Sequence, residues 1–208
     1  MSRTLLIACG ALAHELVAVL EANQWSHIEV QCLPAHWHNT PDKIAPGVEQ
    51  LIIEHRDNVD SILIGYGDCG TGGHLDTVID RHNSPQLKID RLPGAHCYAF
   101  FAGLERFETL AEDELGTFFL TDYLAWHFDR LILEELGINK HPELRDMYFG
   151  NYTRMLYLAQ TENPERLAQA QQAAAAINLP LEVHYTGLEP FSEAMNAINI
   201  EPIQASAK

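Results

Sequence analysis

The stretch VDSILIGYGDCG, residues 59–70, decides the fold. It is nearly continuous in apolar residues up to Gly65 and then enters a glycine-rich turn that carries Cys69. A strand with no polar face is one covered on both sides, and such strands belong to parallel sheets whose crossover helices lie over both faces. The sequence on either side should therefore alternate strand with helix, and it does.

Toward the amino terminus, RTLLIACG (3–10) is a short apolar run closed by glycine, and ALAHELVAVLEANQ (11–24) follows with apolar positions on one helical face. HIEVQCLPA (27–35) reads as a second strand ended by Pro34, and TPDKIAPGVEQLIIEHRDN (40–58) as a helix that opens at Thr40 and Pro41, with Pro46 placing its regular part after it. Toward the carboxyl terminus, QLKIDRLPG (86–94) reads as a strand and AHCYAFFAGLERFETLAED (95–113) as a helix. GTFFLT (116–121) is a further strand, with Thr121 and Asp122 available to cap the helix DYLAWHFDRLILEELG (122–137). PELRDMYFGNYTRMLYLAQT (142–161) is helical, with a last part that also suits a strand. NPERLAQAQQAAAAIN (163–178) is an amphipathic helix, and LPLEVHYTG (179–187) a final strand. The pattern predicts an α/β protein with an open, mostly parallel, Rossmann-like sheet and helices on both faces. No linker or repeat interrupts it, so residues 1–208 are read as a single α/β domain that leaves room for a helical subdomain at about 122–162.

The 208 residues include 47% hydrophobic and 20% charged positions, the balance of a folded globular chain. The formal charge of −16 repels phosphate backbones and anionic membranes, and nucleic acid is excluded as a partner. The amino-terminal apolar run is broken by His14 and Glu15, and no run reaches the length of a membrane span, so a cytoplasmic protein is expected.

Cysteine placement is the strongest chemical signal. Cys9 ends the first strand, Cys69 follows the third and Cys97 follows the fourth through RLPGAHC. In an open parallel sheet all three should reach the carboxyl edge, where such folds bind ligands. Three thiolates from three strand-to-helix turns suit a zinc ion with a histidine or substrate as fourth ligand, or an iron–sulfur cluster with one iron open to a small molecule. Gly10, Gly67 and Gly70, with Gly72 and Gly73, allow backbone N–H groups to approach sulfur or an anionic ligand. Cys32 lies inside the second strand and reads as a core residue. His96, next to Cys97, is placed for proton transfer or ligation, and Asp68 for orienting a histidine or accepting a substrate hydrogen bond. His36 and His38 in HWH would point the same way on an extended segment. Gly65, Gly67 and Gly70 have G-x-G-x-x-G spacing, but they follow the third strand rather than the first, and TGGHLD (71–76) does not read as a helix start. A phosphate cradle is therefore the weaker reading.

Taken together, ACGAL at Cys9, LPAHWHNTPDKI from Leu33, YGDCG around Cys69, RLPGAHCYAFFAG around Cys97 and GTFFLTD from Gly116 resemble the family known as domain of unknown function 1638. The resemblance selects the same three cysteines. It implies an association with corrinoid-dependent methyl-transfer systems and a role in one-carbon metabolism. The family commonly has an aspartate before the third cysteine, where this chain has His96.

Three functions follow as expectations. The first is a metalloenzyme that acts on a small-molecule substrate, with Cys9, Cys69 and Cys97 holding an iron–sulfur cluster, or zinc as the alternative. The second is a partner that delivers or maintains the metal or corrinoid of a methyltransferase. The third is a metal-free thiol enzyme with Cys69 or Cys97 as nucleophile and His96 as base.

Overall fold

The computed structural model describes residues 3–113 and 116–196, which divide into two compact units. The first runs to Cys97 and resumes at Phe191; the second spans Tyr98–Pro190. The parallel α/β architecture expected from the sequence is present, as two sheets rather than one.

In the first unit, β1 (Thr4–Cys9), β2 (Ile28–Leu33), β3 (Ser61–Gly65) and β4 (Lys88–Arg91) form a sheet in the order β2-β1-β3-β4. Every pair is parallel, and the register sets Ala8 opposite both Cys32 and Gly65. β1 lies inside the sheet and all six of its residues are buried. The helices are α1 (Ala13–Ala22), α2 (Ile44–His55) and α3 (His74–His82). They turn Leu16, Val19, Val48, Ile52, Leu75 and Val78 into the core. Each such side chain contributes about 1.5–3 kcal/mol when fully buried.

Two expectations are corrected here. The turn after Cys69 does lead into a helix, α3, which begins directly after Gly73 in a left-handed conformation (φ +83°). Cys32 is exposed rather than part of the core, because β2 is an edge strand.

The second unit opens with α4 (Tyr98–Ala102) and α5 (Leu104–Asp113), one predicted helix divided at Gly103 (φ +84°). Its strands β5 (Thr117–Thr121), β6 (Arg154–Ala159) and β7 (Leu181–Tyr185) pair in parallel in that order. Between β5 and β6 lie α6 (Asp122–Trp126), a π-helical turn (Asp129–Glu134) and α7 (Leu144–Phe149), so the region expected as a helical subdomain is helical to Phe149 and then enters a strand of the sheet. α8 (Pro164–Ala176) starts where Asn163 accepts from the Glu165 and Arg166 amides, with proline in its first turn. α9 (Glu189–Asn196) ends the described chain, and its Phe191 and Met195 are buried.

Thr121 caps α6 as expected, accepting from Leu124 N at 3.3 Å. Asp122 does something else. Buried at the carboxyl ends of β5 and β6, it accepts hydrogen bonds from the Tyr157 hydroxyl (2.6 Å), the Thr161 hydroxyl (2.6 Å) and the amides of Gln160 and Thr161 (3.1 Å each). A carboxylate with its acceptor positions filled in this way ties strand ends together and has little capacity left for chemistry.

Candidate functional site

The first unit's carboxyl edge is built by two loops that continue the pairing of β3 and β4 after the strands end. Leu92 N donates to Ile64 O at 2.9 Å, Asp68 N to Gly94 O at 3.0 Å and Cys69 N to Ala95 O at 2.7 Å. Gly67 makes this approach possible: a Cβ there would stand 2.8 Å from Gly94 O and 3.1 Å from His96 N, both backbone atoms. At the neighbouring strand end, a Cβ on Gly10 would meet Leu33 O at 3.0 Å. Both glycines therefore serve loop-to-loop packing. Gly70 (φ +81°) lies against Pro41.

Cys69 is itself in the left-handed region (φ +48°), a conformation that costs a non-glycine residue about 1–2 kcal/mol. Asp68 offsets that cost. Its carboxylate accepts from the Thr71 hydroxyl (2.9 Å), Gly72 N (3.1 Å) and Gly73 N (2.8 Å), and closes the turn on the amino end of α3. These bonds, led by the Gly73 amide, hold the Asp68 pKa below the usual carboxylate range. Both Asp68 oxygens are thus engaged within the turn. Arg91 braces the other loop: it pairs with Asp76 on α3 through Nε (2.5 Å) and Nη2 (3.0 Å) and donates from Nη1 to Leu92 O at 2.9 Å.

The structure pairs two of the three predicted cysteines and leaves the third nearby. Cys97 lies in hydrogen-bonding reach of Cys69, and Cys9 stands within electrostatic reach of both. Cys9 is buried, whereas Cys69 and Cys97 are half-buried. Each sulfur faces a backbone amide: Cys9 that of Ala11, Cys69 those of Cys97 and Gly67, and Cys97 its own. The Cys97 thiol and these amides stabilise charge on Cys69 and lower its pKa, while the same interaction pushes Cys97 well up. Burial raises Cys9 to about 11.

Sequence reasoning missed Tyr66, the residue directly after β3. It is 2% exposed, and burial, then the neighbouring Cys9 and Cys69, raise its pKa. Its buried hydroxyl lies in hydrogen-bonding reach of the Cys9 sulfur. An aromatic residue at a strand end carries no sequence mark of this kind.

HWH forms a 3-10 turn (Ala35–Asn39), not an extended segment, so His36 and His38 do not share a direction. The Trp37 ring covers Gly47 on α2, where any side chain would collide with it. Desolvation, then the neighbouring His96, hold His38 below its ordinary pKa. His38 keeps solvent exposure, so the proximity of the two histidines is the informative part. Among the described residues, no three His, Cys, Asp or Glu side chains are grouped so as to hold a metal ion. No helix among them is long and apolar enough to cross a membrane.

The fold and site define an α/β protein whose parallel sheet gathers three thiols at its carboxyl edge. The chain belongs to the family described as Protein of unknown function (DUF1638), whose model matches residues 32–195. The match includes Cys69 and Cys97 and begins after Cys9. No curated protein and no solved structure matches the chain.

Proposed function

We propose that Cys9, Cys69 and Cys97 hold an iron–sulfur cluster with one iron free of protein ligands, in a metalloenzyme that acts on a small molecule in one-carbon or methyl-transfer metabolism. The observation that carries this reading is the convergence of three thiols from three strand ends, each against a backbone amide. Amide hydrogen bonds to sulfur favour thiolates and tune clusters. The Tyr66 hydroxyl, in hydrogen-bonding reach of Cys9, also suits the group, since a thiolate accepts more strongly than a thiol.

A mononuclear zinc ion held by the same thiolates is the alternative metal. An open iron would supply a Lewis-acidic position for a substrate heteroatom. Of the chain's own residues, Asp68 and Arg91 hold the two loops in place, and His96, close to His38, is assigned to proton transfer.

The Cys69–Cys97 pair favours a second reading, a metal-free thiol enzyme with Cys69 as the nucleophile, because its charged form is the stabilised one. Anaerobic purification with iron, zinc and acid-labile sulfide analysis separates the two. The proposal expects iron with sulfide and broad visible absorption, lost in Cys9→Ser, Cys69→Ser and Cys97→Ser and kept in Cys32→Ser. Stoichiometric zinc without sulfide would overturn the cluster. Neither metal, with thiol reactivity abolished by Cys69→Ser alone, would favour the thiol enzyme.

A further inference from the structure

We infer that Cys69 and Cys97 are a dithiol that closes into an intramolecular disulfide by exchange with a small disulfide of the glutathione type, so that oxidation shuts the site by taking two thiols out of it. This goes beyond both readings above, because it needs two free thiols and neither a metal nor a substrate.

The two cysteines are remote in sequence and are brought together by backbone. Cys69 N donates to Ala95 O at 2.7 Å and Asp68 N to Gly94 O at 3.0 Å, which lays the loop after β3 along the loop that leads to Cys97. The two side chains then stand in hydrogen-bonding reach of each other. Both are free and half-buried, so a small reagent can approach them from solvent. The other two cysteines are set apart: Cys9 is buried, and Cys32 is exposed on the edge strand β2. A disulfide needs Cα atoms about 4.4–6.8 Å apart and sulfurs about 2 Å apart. With the backbones already bonded beside the pair, the remaining step is to close the sulfurs from contact to bond. Cys69 also holds its place at φ +48°, a conformation that Gly70, Gly72 and Gly73 take in the same turn at no steric cost. The turn therefore accepts strain at the one position whose side chain meets Cys97.

In the exchange, one cysteine thiolate attacks a sulfur of the small disulfide, whose S–S bond breaks and whose other half leaves as a thiol. The second cysteine then attacks the mixed disulfide, forms the Cys69–Cys97 bond and releases the remaining half. Two electrons pass from the dithiol to the reagent, and the two cysteine protons end on the released thiols. The linked pair offers no thiolate to a metal and no nucleophile to a substrate, so the oxidised protein is inactive under either reading.

The test takes the reduced, metal-free full chain, equilibrates it anaerobically in buffers of reduced and oxidised glutathione, quenches in acid and maps the thiols by mass spectrometry. The wild type should form a Cys69–Cys97 link and keep Cys9 as a thiol. The effective concentration of one thiol at the other should exceed, by at least about tenfold, the millimolar value of the same chain in urea. Cys97→Ser should stop at a glutathione adduct on Cys69, and Cys69→Ser at one on Cys97. Glutathione adducts on both cysteines of the wild type, a link through Cys9 or Cys32, or an effective concentration no higher than in urea would overturn the inference. Metal and sulfide analysis of the purified protein decides between the readings above and does not move this result, so each can fail separately.

Discussion

Gly67→Ala tests whether the two site loops are clamped by their backbones. Gly67 does not have a positive φ, so alanine can adopt its conformation, and the cost comes from contact alone. The new methyl would lie 2.8 Å from Gly94 O, 3.1 Å from His96 N and 3.3 Å from the Ala95 carbonyl carbon. None of these is the end of a flexible side chain, so the loops must part. Parting them weakens the bonds from Asp68 N to Gly94 O (3.0 Å) and from Cys69 N to Ala95 O (2.7 Å). Overpacking of this kind costs about 1–3 kcal/mol and each hydrogen bond about 1 kcal/mol, against a gain of about 0.4–1 kcal/mol from restricting the unfolded chain. The net loss should be roughly 2–4 kcal/mol, which for a chain of this size lowers Tm by roughly 5–15 °C. Urea unfolding measures the loss. Iodoacetamide alkylation of the metal-free protein measures the site: Cys69, parted from Cys97, should react more slowly at neutral pH. Gly72→Ala is the control, because nothing lies within 4 Å of its added Cβ and its strain (φ +62°) is local. It should lose stability and leave Cys69 reactivity alone. A Gly67→Ala protein with wild-type stability and wild-type Cys69 reactivity would refute the backbone clamp.

Two further outcomes are expected. In the metal-free protein, Cys97→Ala should raise the pKa at which Cys69 becomes reactive, since the Cys97 thiol is the leading cause of its lowering; mass-spectrometric alkylation profiles across pH check this, and an unmoved Cys69 would refute the pairing. Asp68 has a folded-state pKa below its unfolded value, so it contributes stability that is present above the unfolded pKa and lost as pH falls through the folded one. Asp68→Asn should flatten the acid limb of the stability–pH curve and cost about 1–2 kcal/mol at neutral pH through the weakened turn, and an acid limb identical to wild type would refute that role.

Much of the fold and of the site is legible in the chain itself. The apolar run into Gly65 implies a strand covered on both faces, and β3 is an inner strand of a parallel sheet. The spacing of Cys9, Cys69 and Cys97 relative to strand ends implies that all three lie at one edge, because in a parallel sheet every strand delivers its next residue to the same edge. What is not legible depends on neighbours remote in sequence. Cys32 looks like a core residue until β2 is known to be an edge strand, and strand order is not written in a strand's own pattern. The start of α3 is hidden behind Gly72 and Gly73, which read as breakers; Asp68 turns them into a cap by accepting their amides. Two sheets and one give the same alternation of strands and helices, since each strand–helix–strand unit is local. Tyr66 looks like core filler because its hydroxyl's neighbour, Cys9, lies on another strand.

The electrostatics of the turn then bear on which ligand it can hold. A phosphate cradle needs free backbone amides at the amino end of a helix and a favourable field for an anion. The amides of Gly72 and Gly73 already bond to Asp68, an internal anion in the place a phosphate would take. An incoming phosphate would have to displace that carboxylate and share the edge with Cys69, whose charged form the loop stabilises. The chain's net charge of −16 adds a repulsive background. The turn after β3 therefore resembles a dinucleotide-binding loop in its glycine spacing but not in its electrostatics, because its own carboxylate already occupies the helix amides.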